Sequence, residues 1–141
     1  MDTNILVHAH RRDAALHDEA RSTIKALAEG DVPWAVCFHS FVEFYGIVSH
    51  TKIWTEASTP EQAQAQINAW RESPTLRVLT ENSADLETLT ELAVKTKIRG
   101  AKIHDTRIAN CCLVNGVREL WTVDRDFSRF SALKTRNPLG M

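Results

Sequence analysis

LWTVDRDF, residues 120–127, is the stretch of sequence that decides the fold. Its first half, Leu120–Val123, is a short apolar run with strand character, and a carboxylate follows that run directly. Two similar runs lie upstream, WAVCF at Trp34–Phe38 and LRVL at Leu76–Leu79, and Leu133–Arg136 is a candidate last strand. The chain is therefore expected to contain several short strands separated along the sequence.

Helical periodicity occupies the segments before and between these runs. Apolar residues three to four apart predict helices over 4–11, 13–29, from Ser40 to about residue 48, from Thr59–Pro60 to just before Pro74, and over 83–97 and 104–115. Thr59 before Pro60 is a helix start, and Gly116 is a helix end. Strands that alternate with helices predict an α/β fold with a mostly parallel sheet.

Length and composition indicate an ordinary globular domain. The chain has 141 residues, of which 43% are hydrophobic and 25% charged. No apolar run is long enough to span a bilayer, and the first ten residues lack the pattern of a secretory signal. Three cysteines, two of them adjacent at Cys111 and Cys112, favour free thiols in a reducing compartment, and hence a cytoplasmic protein.

The near-zero net charge conceals two unequal parts of the chain. Residues 1–94 contain 7 basic and 14 acidic residues, whereas residues 95–141 contain 10 basic and 4 acidic residues. Charge asymmetry of this kind is typical of a surface that binds a polyanion, although unequal solvated helix surfaces would produce the same count.

Four carboxylates lie where ligand-binding residues of a parallel sheet are expected. Asp2, Glu43, Asp105 and Asp124 all stand close to a predicted strand end or helix start. Ligands of such sheets bind beyond the carboxyl ends of the strands. Four carboxylates in one cleft repel one another unless a cation neutralises them, and oxygen ligands suit Mg²⁺ or Mn²⁺. The cysteines and histidines lack the spacing of a zinc site.

Each carboxylate also has a purely structural explanation. Glu43 follows Ser40 with the spacing of a capping box. Asp105 in the first turn of a helix complements the helix dipole. Asp124 suits a turn, and Asp2 suits a helix cap. The metal-site hypothesis therefore depends on the four residues taken together.

Several motifs in this order resemble the PIN-domain ribonucleases, and among them the VapC-like toxins of type II toxin–antitoxin modules. The motifs are DTN (Asp2–Asn4), HDTRIA (His104–Ala109) and LWTVDRDF (Leu120–Phe127), with EF (Glu43–Phe44) and RF (Arg129–Phe130). DTN alone is weak evidence, but the ordered set is fairly specific and extends over essentially the whole chain.

The resemblance implies a structure and an activity. It implies a three-layer α/β/α fold formed by residues 1–141 as one PIN-like domain, with a central sheet between helices on both faces. It implies an endoribonuclease that depends on Mg²⁺, for which Mn²⁺ can substitute, a homodimer and an inhibitory antitoxin. The acidic site of the family falls on Asp2, Glu43, Asp105 and Asp124, with Asp126 as a supporting residue.

These residues suggest a mechanism in which metal-activated water hydrolyses an RNA phosphodiester bond. Asp2 and Asp105 would bind the metal, while Glu43 and Asp124 would complete its shell directly or through water, and one carboxylate would help to deprotonate the attacking water. Thr122 would orient a carboxylate or a water. Four basic residues near the acids in sequence are candidates for binding RNA phosphates: Arg99, Lys102, Arg107 and Arg125.

Two other functions remain open on the sequence alone. A PIN-like module with an impaired site would bind RNA or a partner without cleavage. A Mg²⁺-dependent phosphohydrolase of small phosphate esters would use an aspartate at a strand end. Cleavage of RNA only with metal, binding without cleavage, and turnover of small esters distinguish the three.

The N-terminus departs from the family pattern. Several apolar residues usually precede the first aspartate, but only Met1 precedes Asp2 here. Either the strand starts before the printed sequence or it is a stub, and a stub would place the α-amino group near Asp2 and weaken metal binding. Aromatic residues of the third helix region are candidate anchors for an antitoxin: Phe41, Phe44, Tyr45 and Trp54.

Overall fold

A computed structural model describes residues 1–140 of the chain. The helices are α1 (Thr3–His10), α2 (His17–Glu29), α3 (Phe38–Val48), α4 (Pro60–Arg71), α5 (Asp85–Lys95) and α6 (Ile103–Val114), with 3₁₀ turns at Gly100–Lys102 and Arg125–Arg129. The strands are β1 (Trp34–Cys37), β2 (Leu76–Leu79), β3 (Glu119–Trp121) and β4 (Lys134–Arg136). The predicted alternation of strands and helices is confirmed.

The strands form two parallel pairs rather than one continuous sheet. β1 pairs with β2, and β3 pairs with β4. The N-terminus connects the two pairs, because the α-amino group of Met1 donates to the carbonyl of Ala35 at 2.8 Å and the amide of Asp2 donates to the carbonyl of Trp121 at 2.8 Å. The backbone of Met1 and Asp2 thus takes the place of a very short central strand.

Two hydrophobic clusters lie on opposite faces of these strands. Along β1, Val36 belongs to one cluster and the neighbouring Cys37 to the other. Along β3, Leu120 packs in the second cluster while Trp121 packs against the first. Successive strand residues point to opposite faces, so each face has its own core. Helices α1 to α4 cover one face and α6 the other, which confirms the three-layer α/β/α arrangement.

Two helix starts differ from the sequence-based expectation. Helix α2 begins at His17 rather than Asp13, because Arg11 and Asp13 form an ion pair at 2.5 Å within a turn. Helix α3 begins at Phe38, immediately after β1 and two residues before Ser40. Thr59 does cap α4 as predicted, and its hydroxyl accepts a hydrogen bond from the amide of Gln62 at 3.1 Å.

No helix within residues 1–140 combines the length and apolar character needed to cross a bilayer. The three cysteines form no disulfide and are buried, and Cys111 and Cys112 pack in the core on α6 as expected. The carboxyl ends of the parallel strands are where the acidic residues gather, and these ends define the candidate site.

Candidate functional site

Asp2 is the most deeply buried carboxylate of the site. It caps α1, with one oxygen accepting from the amide of Thr3 at 2.7 Å and the other accepting from the hydroxyl of Thr122 at 2.7 Å. Its residue surface is 5% exposed. Burial raises the pKa of Asp2 to about 6, the nearby Asp105 acts in the same direction, and the two hydrogen bonds and the α-amino group oppose the rise. The cap interpretation is confirmed, and the carboxylate is held in one orientation.

Glu43 is not part of a capping box. Because α3 begins at Phe38, Ser40 lies inside the helix, and its buried hydroxyl has no hydrogen-bond partner in the described chain. Glu43 instead accepts from the hydroxyl of Thr3 at 3.0 Å. Burial raises the pKa of Glu43, and Asp105 raises it further. The capping interpretation is therefore wrong, and Glu43 faces the same cleft as Asp105.

Asp105 interacts electrostatically with each of the other three carboxylates. It lies in the first turn of α6. Burial raises its pKa first, and then Asp124 and, more weakly, Asp126 raise it, while Lys102 and Arg129 lower it. Asp105 in turn raises the pKa of both Asp2 and Glu43. One carboxylate is thus coupled to all the others.

Asp124 follows β3 and belongs to a tight turn. Its side chain accepts from the amide of Asp126 at 2.8 Å, and its own amide donates to the hydroxyl of Thr122 at 3.0 Å. The same hydroxyl donates to Asp2. Thr122 therefore makes the hydrogen bond that an orienting role requires, and it links two carboxylates of the set. The turn interpretation of Asp124 and its place beside Asp105 are compatible.

The chemistry of the donor set fits a hard divalent cation. The predicted ligands are carboxylates, and burial and mutual repulsion raise the pKa of Asp2, Glu43 and Asp105, which disfavours the charged forms of these three groups. A bound cation removes that repulsion. As the side chains stand, no group of three His, Cys, Asp or Glu residues within residues 1–140 is close enough to hold a metal ion. Binding therefore requires rearrangement of these side chains, and Asp105, which makes no side-chain hydrogen bond to a described residue, is the least constrained of the four.

The candidate RNA-binding residues divide into two kinds. Lys102 pairs with Asp126 at 3.2 Å, and Arg107 forms an ion pair with Glu81. Arg99 and Arg125 are exposed and have no ion pair with any described residue; both remain available to phosphates.

Sequence reasoning did not single out the residues on the β2 side of the cleft. The ring of His39 stacks on His104, with centroids 5.3 Å apart, and its Nε2 atom lies 4.0 Å from a carboxylate oxygen of Glu43. Glu81 lies two residues beyond β2 and holds Arg107. His39 and Glu81 each lie two residues beyond the end of a parallel strand, so the rule that selected Asp124 also applies to them.

The chain is similar to a known protein family and to several known proteins. A profile of the PIN domain matches residues 1–133. Ribonuclease VapC43 of Mycobacterium tuberculosis is 30% identical over 139 residues, which are 99% of this chain and 94% of the relative. Ribonuclease VapC48 of the same organism is 24% identical over 137 residues, with 97% and 94% covered.

Two solved structures share the fold. VapC20 of Mycobacterium tuberculosis, described as a sarcin–ricin loop cleaving toxin, superimposes with a TM-score of 0.70 at 19% identity, covering 96% of this chain and 97% of that one. VapBC2 from Rickettsia felis, bound to a DNA fragment from its promoter, gives a TM-score of 0.68 at 20% identity, covering 96% and 94%.

Proposed function

Because this chain belongs to the PIN-domain family, we propose that it is a ribonuclease toxin that hydrolyses RNA phosphodiester bonds with the help of Mg²⁺ and is restrained by a cognate antitoxin. One observation carries the proposal: Asp105 is coupled to Asp2, Glu43 and Asp124 at the carboxyl ends of the strands. A structural capping role would not place these acids around one another. Mn²⁺ is expected to replace Mg²⁺, since both prefer oxygen ligands.

Asp2 and Asp105 would hold the metal, and Glu43 and Asp124 would complete its surroundings directly or through water. A divalent cation at such a site lowers the pKa of water and stabilises negative charge on phosphate oxygens. Thr122 and the amide of Thr3 fix the carboxylate of Asp2, so this ligand needs little reordering when a cation arrives.

Glu43 is suited to take a proton from the attacking water. Its pKa is raised by burial and by Asp105, which makes it a better base than an exposed glutamate. Its hydrogen bond from Thr3 occupies one oxygen and leaves the other facing His39, 4.0 Å away. Arg99, Lys102 and Arg125 would neutralise phosphates of the RNA on either side of the cut.

Substitution of Asp105 tests the proposal most directly. Asp105→Asn is expected to abolish RNA cleavage in Mg²⁺ while the far-ultraviolet circular dichroism stays unchanged, because the side chain is half-buried and accepts no hydrogen bond from a described residue. Asp31→Asn is the matched control, since Asp31 is exposed and precedes the amino end of β1, whereas the acids of the site lie at the carboxyl ends of the strands. Cleavage by Asp105→Asn at the wild-type rate would rule out the mechanism.

The same assay separates the two other functions. Wild-type protein is incubated with structured RNAs in Mg²⁺, in Mn²⁺ and in EDTA, and separately with small phosphate esters. Cleavage of RNA only with metal supports the ribonuclease. Binding of RNA without cleavage would indicate an impaired module, and turnover of small esters alone would indicate a phosphohydrolase.

The proposed partner is a small antitoxin encoded beside this chain. The support is the similarity to VapBC2, a toxin–antitoxin pair. Addition of the purified neighbour is expected to stop RNA cleavage. Unchanged cleavage with the neighbour bound would refute the antitoxin proposal without affecting the ribonuclease.

A further inference from the structure

A small cavity opens beside the acidic cleft, at the carboxyl ends of β1 and β2. It has a volume of about 230 Å³, and its lining includes Phe38, His39, Leu79, Glu81 and Arg107. His39 connects it to the acidic cleft, because the same side chain lines the cavity and lies 4.0 Å from Glu43. A group bound in this cavity would therefore sit next to an RNA phosphate held at the acids.

The walls of the cavity differ in chemistry. Leu79 and the ring of Phe38 are apolar, and Phe38 is 58% exposed, which is unusual for a large aromatic side chain. Exposed aromatic rings beside basic residues are the platforms on which RNA bases stack. The polar part of the lining includes Glu81 and Arg107.

The polar part of the lining contains an ion pair with unused hydrogen-bonding capacity. Arg107 uses only its Nε–H, which donates to one carboxylate oxygen of Glu81. Its two Nη groups and the second oxygen of Glu81 have no partner among the described residues. The side chain of Arg107 is 39% exposed and that of Glu81 is 24% exposed, so these unpaired groups are accessible from the cavity. It presents donors and, directly beside them, an acceptor.

We propose that this cavity binds a guanine base of the RNA substrate, an inference that rests on the proposed ribonuclease function. Around its edge, guanine carries two acceptors, N7 and O6, followed by two donors, N1–H and N2–H₂. The guanidinium fork of Arg107 donates to N7 and O6, and the carboxylate of Glu81 accepts from N1–H and N2–H₂. The base stacks on Phe38.

The other bases match this edge less well. Adenine and cytosine each offer a single amino donor, and uracil offers one N–H between two carbonyl acceptors. None presents two adjacent acceptors followed by two adjacent donors. A site that bonds such an edge leaves some of its own polar groups unpaired when another base enters, and this disfavours the other bases.

Binding of mononucleotides tests the cavity without any cleavage. The full chain is titrated with guanosine 5′-monophosphate in EDTA, and separately with the adenosine, cytidine and uridine monophosphates, with binding followed by nuclear magnetic resonance shifts. Guanosine monophosphate is expected to bind about tenfold more tightly than the others. Equal affinities, or no binding of any of the four, would overturn the proposal.

Two variants test what Glu81 and Phe38 contribute to nucleotide binding, and a third is a control. Glu81→Gln is expected to reduce the preference for guanosine monophosphate to within about twofold, because it removes the second acceptor. Phe38→Ala is expected to weaken all four nucleotides by about tenfold and keep their order, because stacking does not distinguish bases. Glu87→Gln, at an exposed glutamate of α5, is the matched control and is expected to bind as wild type does. A preference that survives Glu81→Gln would also overturn the proposal.

The positions of the cut sites distinguish the guanine site from the ribonuclease function on which it rests. The wild-type protein is given a pool of random-sequence RNA in Mg²⁺, and the cut sites are sequenced. Enrichment of guanine at one position beside the cut is expected, and Glu81→Gln is expected to remove it. Cleavage with no base preference would refute the guanine site but not the ribonuclease. Binding of guanosine monophosphate with no cleavage would refute the ribonuclease but not the guanine site.

Discussion

At the scale of single residues, hydroxyl groups explain why the acids are arranged as they are. Thr122 donates to Asp2 while receiving the amide of Asp124, and Thr3 donates to Glu43. The position of Asp124 directly after the predicted strand 120–123 singles it out in the sequence, and Thr122 lies two residues before it. Thr3 carried no such signal, because its partner is 40 residues away in the sequence and is brought near only by the packing of α1 on α3.

The buried carboxyl of Asp2 predicts a pH dependence of stability. Its pKa is about 6 in the folded chain against an ordinary value of 3.8, so the folded chain holds the proton more tightly than the unfolded chain. Above pH 6 the folded chain carries the full destabilisation from ionising this buried carboxyl. The destabilisation disappears as the pH falls towards 4, where the carboxyl is protonated. By linkage this amounts to about 3 kcal/mol. We expect the free energy of unfolding, measured with urea, to be larger at pH 5 than at pH 7.5.

Asp2→Asn provides the control for that pH dependence. It keeps an oxygen for the amide of Thr3 and removes the titrating group, so much of the difference between pH 5 and pH 7.5 is expected to vanish. Addition of Mg²⁺ in the absence of RNA is expected to raise the melting temperature of the wild type at pH 7.5 and to leave Asp2→Asn unchanged. An equal rise in both proteins would contradict the assignment of Asp2 as a ligand.

Thr122 is expected to act as a positioning residue. Thr122→Val keeps the shape but removes the hydrogen bond to Asp2, and we expect RNA cleavage to fall by roughly 10- to 100-fold, the usual effect of losing an outer partner of a metal ligand. The Mg²⁺ concentration for half-maximal cleavage should rise as well. Thr122→Ser should restore both, whereas a purely structural role would leave the Mg²⁺ dependence unchanged.

At the scale of elements, the sequence predicted which segments are helices and strands better than it predicted where they pair. Alternation identified β1, β2, β3 and β4, but not the division into two pairs connected by Met1 and Asp2. Periodicity reports the face that a residue buries and does not report which strand lies beside it. The direct passage from β1 into α3 was missed for a similar reason: Cys37 gives no side-chain cap, so the helix start has no local signal.

Substitution of two glycines is expected to change the stability of the protein in opposite directions. Gly116 follows α6 with φ at +72°, a conformation that an L residue adopts at a cost, so Gly116→Ala is expected to destabilise the protein by about 1 kcal/mol. Gly46 lies inside α3 with open space where a Cβ would be, so Gly46→Ala is expected to stabilise it by about 0.5–1 kcal/mol. Urea unfolding measures both, and two changes of the same sign would contradict the argument.

At the scale of the whole molecule, the exposed apolar surface differs from the sequence-based expectation. Of the proposed antitoxin anchors, Phe41 and Phe44 are buried in the core, and Trp54 packs against that core under Arg11. Only Tyr45 is exposed. The helical spacing of these aromatic residues indicated one apolar stripe, but it could not tell which neighbours of the stripe would remain uncovered after α4 packed on α3. The uncovered residues are Phe38 and Val42 on the same helix and Val78 on β2.

These residues predict the surface of the proposed homodimer. Val42, Tyr45 and Val78 line one apolar depression of about 450 Å³, which also reaches Phe38 at the edge of the proposed guanine cavity, and exposed apolar surface marks sites of contact with another protein. Light scattering on the wild type is expected to give twice the 15.9 kDa of one chain. Val42→Asp places an uncompensated charge in that surface and is expected to give a monomer. Val94→Asp, at an equally apolar residue that is 79% exposed on α5, should leave the dimer intact. A monomeric wild type would refute the homodimer, and a dimeric Val42→Asp would place its interface on another face of the molecule.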